Sequence, residues 1–294
     1  MAKNPKWAGI GAKFAHLTAV HPCFGVKAHY KVARIHLPVA PRCNIQCNYC
    51  IRKLDKCENR PGVAACILNQ EGAVKRLEAE IKSNPELRVV GIAGPGDSLE
   101  NPATFETLSI VKKRWPGLIQ CLSTNGLLVE EKAAELKRLG VKTVTITINA
   151  MDPKVGAMIY EWVRYSGKVY RGVEGAKLLI EKQLRGIEAL TGRGIVVKIN
   201  TVLIPSINMD EIPKIAEEAA KRGASIMNII PLIPLHRFSK LEGPSCGELE
   251  MARAAAERYI PQFRLCKQCR ADSCGIPGLE GRKTSSTATE YFHG

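Results

Sequence analysis

Short apolar runs alternate with amphipathic stretches along most of the chain, and this alternation predicts a repeating βα fold. Six runs read as strands, at 33–39, 87–93, 118–123, 141–148, 195–203 and 225–230. Between them, apolar residues recur at helical spacing near 69–83, 102–114, 129–139, 174–191 and 210–222. In the third of these, Val129, Ala133, Leu136 and Leu139 form one stripe, while Glu130, Glu131, Lys132, Lys137 and Arg138 take the other faces. Asn101-Pro102 reads as an N-cap with a first-turn proline, and Gly140 and Gly223 read as helix stops. The strands are apolar almost throughout, as parallel strands covered by helices are. Short turns between such units give a parallel sheet with right-handed crossovers, and a doubly wound sheet is the rival arrangement. Residues 150–172 are too rich in glycine and aromatics for a plain helix and are expected to form a lid.

The chain has 294 residues, enough for one large core. Its eleven cysteines are unusual in a structural role. An extracellular disulfide protein is the competing reading, but the start of the chain has no apolar leader segment and the cysteines cluster tightly. No run of eighteen apolar residues suggests a membrane span. A cytoplasmic protein of a reducing, anaerobic cell is expected, with no membrane partner. The formal charge of +15 invites a nucleic-acid reading, yet Lys and Arg are scattered over helices without a tract or binding signature. No nucleic-acid partner is expected; thiolate-held metal would offset part of that charge.

The strongest chemical signal is Cys43-Asn-Ile-Gln-Cys47-Asn-Tyr-Cys50. Three thiolates at this spacing can hold three irons of a cubane cluster and leave the fourth open to a ligand. The spacing resembles the defining motif of the radical S-adenosylmethionine (SAM) enzymes. The resemblance implies a [4Fe-4S] cluster that binds SAM and reduces it to a 5'-deoxyadenosyl radical, with Cys43, Cys47 and Cys50 as catalytic ligands and Tyr49 near the adenine. It also implies an α/β fold, a partial (β/α)6 TIM-like barrel with catalytic groups at the C-terminal strand ends. On that frame, 1–32 is an N-terminal extension covering the barrel mouth and 33–240 is the barrel. Residues 241–294 are a C-terminal extension with auxiliary cysteines and a loose tail. Gly94-Pro95-Gly96-Asp97 resembles the stretch that receives SAM's ammonium group. Ser123, Thr124 and Asn125 are expected at the methionyl part or ribose, and Asn149 and Asn200 at the ribose. A plain turn at 94–97, and asparagines that merely satisfy barrel backbone groups, are the bland alternatives.

Among the remaining cysteines, Cys66 and Cys246 lack close partners and read as buried small hydrophobes. Cys266-x2-Cys269-x4-Cys274 can grip a metal site, and zinc would use the same thiolates as a cluster. Further stretches, namely His21-Pro-Cys23-Phe, Ala28-His29, Arg34-Ile-His36, Arg60-Pro-Gly-Val63, Cys121-Leu-Ser-Thr-Asn-Gly126 and Cys266-Lys-Gln-Cys-Arg-Ala-Asp272, resemble the NifB family of nitrogenase cofactor biosynthesis, in a form without the C-terminal cofactor-carrier domain.

That resemblance implies two auxiliary [4Fe-4S] clusters used as substrates. Cys23, Cys57 and Cys121, with His36 as a nitrogen ligand, would hold one, and Cys266 and Cys269 the other. Glu58 stands beside Cys57 as an alternative oxygen ligand, and Cys274 as a third thiolate for the second cluster. It further implies that SAM methylates a cluster sulfide, and that the radical then abstracts hydrogen from that methyl. Deprotonation leaves carbide, and a sulfite-derived sulfur completes an eight-iron cluster. Expected partners are a cluster donor, an electron donor such as ferredoxin, and a carrier or scaffold acceptor; a monomer is expected. Rival functions are a peptide-modifying radical SAM maturase with permanent auxiliary clusters, and a non-catalytic iron–sulfur scaffold.

Overall fold

The computed structural model describes residues 15–279, so the expected loose tail lies outside the described residues. Six parallel strands lie side by side in chain order: β1 (Ala33–His36), β2 (Leu87–Ile92), β3 (Ile119–Thr124), β4 (Val141–Thr147), β5 (Val196–Leu203) and β6 (Ile226–Pro231). Helices α1 (Gln70–Ser83), α2 (Pro102–Arg114), α3 (Val129–Arg138), α4 (Gly172–Thr191) and α5 (Ile212–Lys221) fill the crossovers. The periodicity located these elements to within a few residues. Gly140 and Gly223 stop α3 and α5 at φ +85 and +88, backbone values that favour glycine.

One face of the sheet carries the main core. Ile35, Ile92, Leu122, Ile146, Ile199 and Met227 meet Leu77, Leu108, Leu136, Ile187 and Ile215 of the helices. The other face carries Arg34, His36, Gly91, Cys121, Lys198 and Asn200, set by the period-2 alternation of the strands. A doubly wound sheet would bury apolar residues on both faces. Helices on one side and a polar concave face on the other are the signature of a partial barrel.

Three features differ from the sequence reading. Residues 150–172 form helix Pro153–Ile159 and a hairpin of Tyr160–Tyr165 with Lys168–Tyr170, and Ile45–Cys47 joins it as a third antiparallel strand. This segment is therefore a braced sheet against the cysteine loop. The pairing partner lies far away in sequence, beyond the reach of local pattern. Asn101 occupies the N-cap position of α2, but its amide bonds Arg42 and Asp97 and leaves the helix end uncapped by its side chain.

The chain ends also behave differently. Leu17 and Phe24 pack on Val196, Ile119 and Ile226, residues at the strand starts. The described part of the N-terminal extension thus packs at the bottom of the barrel, where the apolar first residues of three strands offer burial; residues 1–14 lie outside the described residues. After β6, Ser245 and Glu248 form a capping box on helix α6 (Cys246–Glu257), which packs on α5 and β6 as part of the barrel wall. Residues 261–263 then bond Met227 on one edge strand, and Cys274–Gly275 pairs antiparallel with β1 on the other. The intervening strap bridges the two open edges.

Leu136 is fully buried between α3 and the sheet. Leu136→Ala should lower unfolding stability by about 2–5 kcal/mol, read as a reduced urea midpoint at unchanged slope. Lys137→Ala, one residue on and off the stripe, should change it by less than about 0.5 kcal/mol.

Candidate active site at the barrel rim and lumen

The cysteine loop leaves β1 and is held on all sides. Ile45–Cys47 pairs with the 160–163 strand, and Cys50 N–H donates to the Cys47 carbonyl at 3.0 Å. The Gln46 amide donates to the Cys47 and Cys50 carbonyls at 2.9 and 2.8 Å, and accepts from Arg52 at 2.9 Å. These bonds fix the backbone that carries the three thiols. Burial pushes the Cys43 thiol up to about 12, with the nearby Asp97 charge adding to it. Burial, then the charges of Cys50 and Cys43, raise Cys47 well above the usual thiol range, and burial raises Cys50 too. Buried thiols of this kind lose their protons to a metal and not to water, so the donor set suits a cluster. Among the described residues no three His, Cys, Asp or Glu side chains are gathered as for a single metal ion; a cubane spreads its thiolates more widely. Cys50, Arg52, Trp162 and His236 line an open depression of about 340 Å3 on the outer side of the loop.

The neighbouring strand ends are tied to this loop. Asp97 is buried, and its carboxylate accepts from Leu99 N–H at 2.9 Å, the Thr124 hydroxyl at 2.8 Å and Asn125 N–H at 2.6 Å. Burial raises its pKa, and those three donors work against the rise. Asp97 therefore locks the third strand end to the 94–97 turn, and its oxygens are largely engaged by the protein. The Asn125 side chain donates to Asn44 Oδ1 at 2.6 Å and lies 3.8 Å from Cys43 Sγ. Tyr49 hydrogen-bonds Cys47 and receives the Asn149 amide at 2.8 Å. Asn149 also accepts from Val202 N–H at 2.9 Å, and Asn200 accepts from Asn228 at 3.1 Å. Both asparagines thus satisfy barrel groups. The Ser123 carbonyl accepts from Ser98 at 2.8 Å, and Gly94 and Gly96 sit in the turn that follows β2.

Deeper in the lumen, His36, Gly91 and Cys121 stand in register across β1, β2 and β3. A Cβ on Gly91 would lie 2.9 Å from Cys121 Sγ and 3.2 Å from His36 Cδ2, so the missing side chain leaves a cradle between sulfur and imidazole. His36 Nδ1 lies 3.1 Å from the Arg270 carbonyl. A carbonyl can only accept, so the proton sits on Nδ1 and leaves Nε2 as a lone-pair donor. Burial and the Arg34 charge lower His36 to about 4, which keeps the ring neutral and able to ligate. Cys23 is raised by burial; the charges of Cys269 and Cys266 add to the rise, and those of Lys198 and Arg34 oppose it. Cys121, raised to about 12 by burial, feels Cys23 in turn. These sulfurs share one chamber.

Comparison with known proteins decides the family. The Radical SAM superfamily model matches residues 37–219. A FeMo cofactor biosynthesis protein NifB of Methanocaldococcus jannaschii is 55% identical over 90% of this chain and 89% of its own length. The chain belongs to the NifB family of radical SAM proteins. The NifB of Methanocaldococcus infernus is 51% identical over 90% of this chain and 88% of its own length. That of Klebsiella pneumoniae is 43% identical over 90% of this chain, which spans 58% of the Klebsiella protein. Among solved structures, Streptococcus suis SuiB bound to S-adenosylmethionine shares the fold at a TM-score of 0.58 and 12% identity, over 90% of this chain and 56% of SuiB.

Within this NifB-family chain the structure gathers Cys23, His36, Cys121, Cys266 and Cys269 around the lumen. Cys57 stays exposed on a turn capped by Asp55, and Glu58 is paired with Arg60 and Lys53. Cys274 is paired with Ile35 and belongs to the apolar core behind the sheet, on the face away from Arg34. Burial, then Glu80, push it up to about 12. Cys246 is exposed at the start of α6, and Cys66 is half-buried; neither is the fully buried hydrophobe expected of a lone cysteine. Sequence reasoning overlooked Arg34 and Lys198, although a cation inside an apolar strand was a visible signal. It also overlooked Gln46 and Gly91, whose roles appear only in three dimensions. Arg270 was expected to favour thiolates beside Cys266 and Cys269, and the structure instead ties it to Asp272, Asp55 and, through its carbonyl, His36.

The cradle generates a test. Gly91→Ala puts a methyl group between Cys121 and His36, and iron bound after anaerobic reconstitution should fall by about four per chain, one cubane's worth. Unchanged iron in a folded Gly91→Ala protein would show that no cluster uses this space.

Proposed function

We propose that this chain is the enzyme that methylates and fuses two [4Fe-4S] clusters into an eight-iron carbide-centred precursor of the nitrogenase cofactor. The observation that carries the reading is 55% identity to a NifB along nearly the full length of both chains. The concave side of the sheet supports the reading: Cys23, His36, Cys121, Cys266 and Cys269, groups of the kind that bind iron, lie near one another there. When bound at Cys43, Cys47 and Cys50, the SAM-binding cluster supplies the electron that generates the 5'-deoxyadenosyl radical.

The chain's own residues place and shield. Gln46 and the 160–163 strand fix the loop, Tyr49 closes over its inner side, and Asp97 holds Asn125 against Cys43. His36, Cys23 and Cys121 hold one substrate cluster, with Cys57 or Glu58 as a further ligand from the adjacent turn. Cys266 and Cys269 hold the other, leaving irons free to change partners. A methyl group passes from SAM to a substrate-cluster sulfide as S-adenosylhomocysteine leaves. The 5'-deoxyadenosyl radical takes one of its hydrogens to become 5'-deoxyadenosine, and the other two leave as protons while the carbon's electrons stay with the cluster as carbide. The buried side chains of the concave face, Lys198 and Arg34 among them, exclude water from the radical. The depression beside Cys50 offers an electron donor such as ferredoxin a short route to the loop, and a carrier or scaffold protein takes the product. A cluster donor supplies the substrates.

Serine at Cys43, Cys47 and Cys50 together should abolish 5'-deoxyadenosine formation by the reduced protein while iron remains elsewhere. Persistent SAM cleavage would reject the assignment. Replacing Cys266 and Cys269 by serine should remove about four irons and stop formation of a product able to activate cofactor-deficient nitrogenase. Zinc-edge anomalous scattering at this pair in active, anaerobically purified protein would overturn that role.

A further inference from the structure

Lys198 lies in the middle of β5 and points into the lumen with only 3% of its surface exposed. Its ammonium donates to the Cys23 carbonyl at 3.1 Å and sits 4.4 Å from the centre of the Phe263 ring. Among the described residues no carboxylate forms an ion pair with it. Arg34, on the opposite flank of the curved sheet, is 1% exposed; it donates to the Gly275 carbonyl at 2.9 Å and to Cys269 Sγ at 2.8 Å. Both cations feel the same sulfurs, since the charges of Lys198 and Arg34 act on Cys23 and on Cys121. Cys23 and Cys121 therefore lie within reach of two buried cations contributed by different walls, one of which also bonds Cys269.

A buried ammonium facing only a carbonyl and aromatic rings is expensive, and an apolar residue of similar shape would be cheaper for folding alone. Its presence calls for an anion that arrives later. We propose that Lys198 is the counter-charge of the substrate clusters, acting with Arg34 so that two sulfide-rich anions rest side by side in one lumen before fusion. The ligand class is an anionic iron–sulfur cubane whose sulfides accept N–H hydrogen bonds. The inference rests on the function proposed above and adds how the cargo is held. Cys266 and Cys269 supply only two thiolates, so charge provides a hold that does not require a full ligand set. Arg34 sits two residues before His36 and bonds Cys269, so it belongs to both cargo sites at once. Without the cations, like charges would drive the two clusters apart at close range.

The test compares cluster-free and loaded protein. After anaerobic reconstitution and gel filtration, the parental chain should carry about twelve irons, three cubanes of four. Lys198→Met should lose at least about four of these, while its cluster-free form resists urea as well as or better than the parent. Lys198→Arg should regain the iron. A structural lysine behaves in the opposite way: Lys198→Met would keep its iron and unfold at lower urea when cluster-free, which would overturn the proposal. If Lys198→Met loses both iron and stability, Lys198→Arg decides, with regained iron supporting the proposal and a folded but iron-poor protein counting against it. Failure of the underlying function would look different, because the loaded parental chain would then form no product able to activate cofactor-deficient nitrogenase, whatever iron it carries.

Discussion

The buried ion pair between Arg270 and Asp272 is the joint on which the lumen depends. Both side chains are 1% exposed and meet at 2.8 Å. Arg270 also donates to the Asp55 carbonyl at 2.8 Å, and its own carbonyl orients His36. Asp272 accepts from Ala65 N–H at 2.5 Å, and its carbonyl accepts from Arg76 of α1 at 2.5 Å. One pair thus joins the C-terminal strap, the 55–65 loop, β1 and the first helix. Burial works to raise the Asp272 pKa, but Arg270 and the Ala65 N–H hold it below the usual carboxylate value. Breaking one partner of such a pair costs about 3–5 kcal/mol, because the other charge is left buried. Here the loss would also free the imidazole ring and the turn that presents Cys57.

The strap explains how a half-open barrel keeps a closed chamber. Six strands leave two edges, and each edge would otherwise present unpaired backbone groups. Residues 261–263 satisfy one edge and Cys274–Gly275 the other, so the chain between them crosses the gap with Cys266 and Cys269. The two candidate ligand cysteines and the edge protection are therefore parts of one segment. From below, Leu17 and Phe24 seal the strand starts and carry Cys23 into the same space.

Much of this was legible in the sequence because it rests on local signals. Strand and helix positions follow from periodicity, and the cysteine loop from its spacing. The sequence reading missed the Ser245–Glu248 capping box, a local signal of the same kind that marks α6. Other features depend on distant partners. The hairpin at 160–170 takes its third strand from Ile45–Cys47, and Asp97 meets Thr124 and Asn125 only after two strands align. Cys274 looked like the natural continuation of Cys266 and Cys269, but a strand reverses direction between faces with each residue. Pairing with Ile35 sends its thiol to the core side. Asn149 and Asn200 likewise find partners on neighbouring strands, and Asn149 also donates to Tyr49 beside the cysteine loop, contacts that no local pattern announces.

The third strand sets the distance between radical and cargo chemistry. Cys121 faces the deep lumen, and Asn125 at the end of the same strand touches the Cys43 loop. Four residues of extended chain span roughly 13 Å at about 3.3 Å each. Parallel neighbours hold β3 on both sides, Asp97 pins its end, and Gln183 of α4 donates to the Asn125 carbonyl at 2.7 Å. A spacing built from a hydrogen-bonded central strand varies far less than one built across a loop. Such a spacing suits a reaction in which a radical formed at one end must reach a methyl group held at the other. The space left by Gly91, level with Cys121, lies at the lower end of this ruler, so a cluster held there, as the proposed function has it, would sit one strand's length from the Cys43 loop.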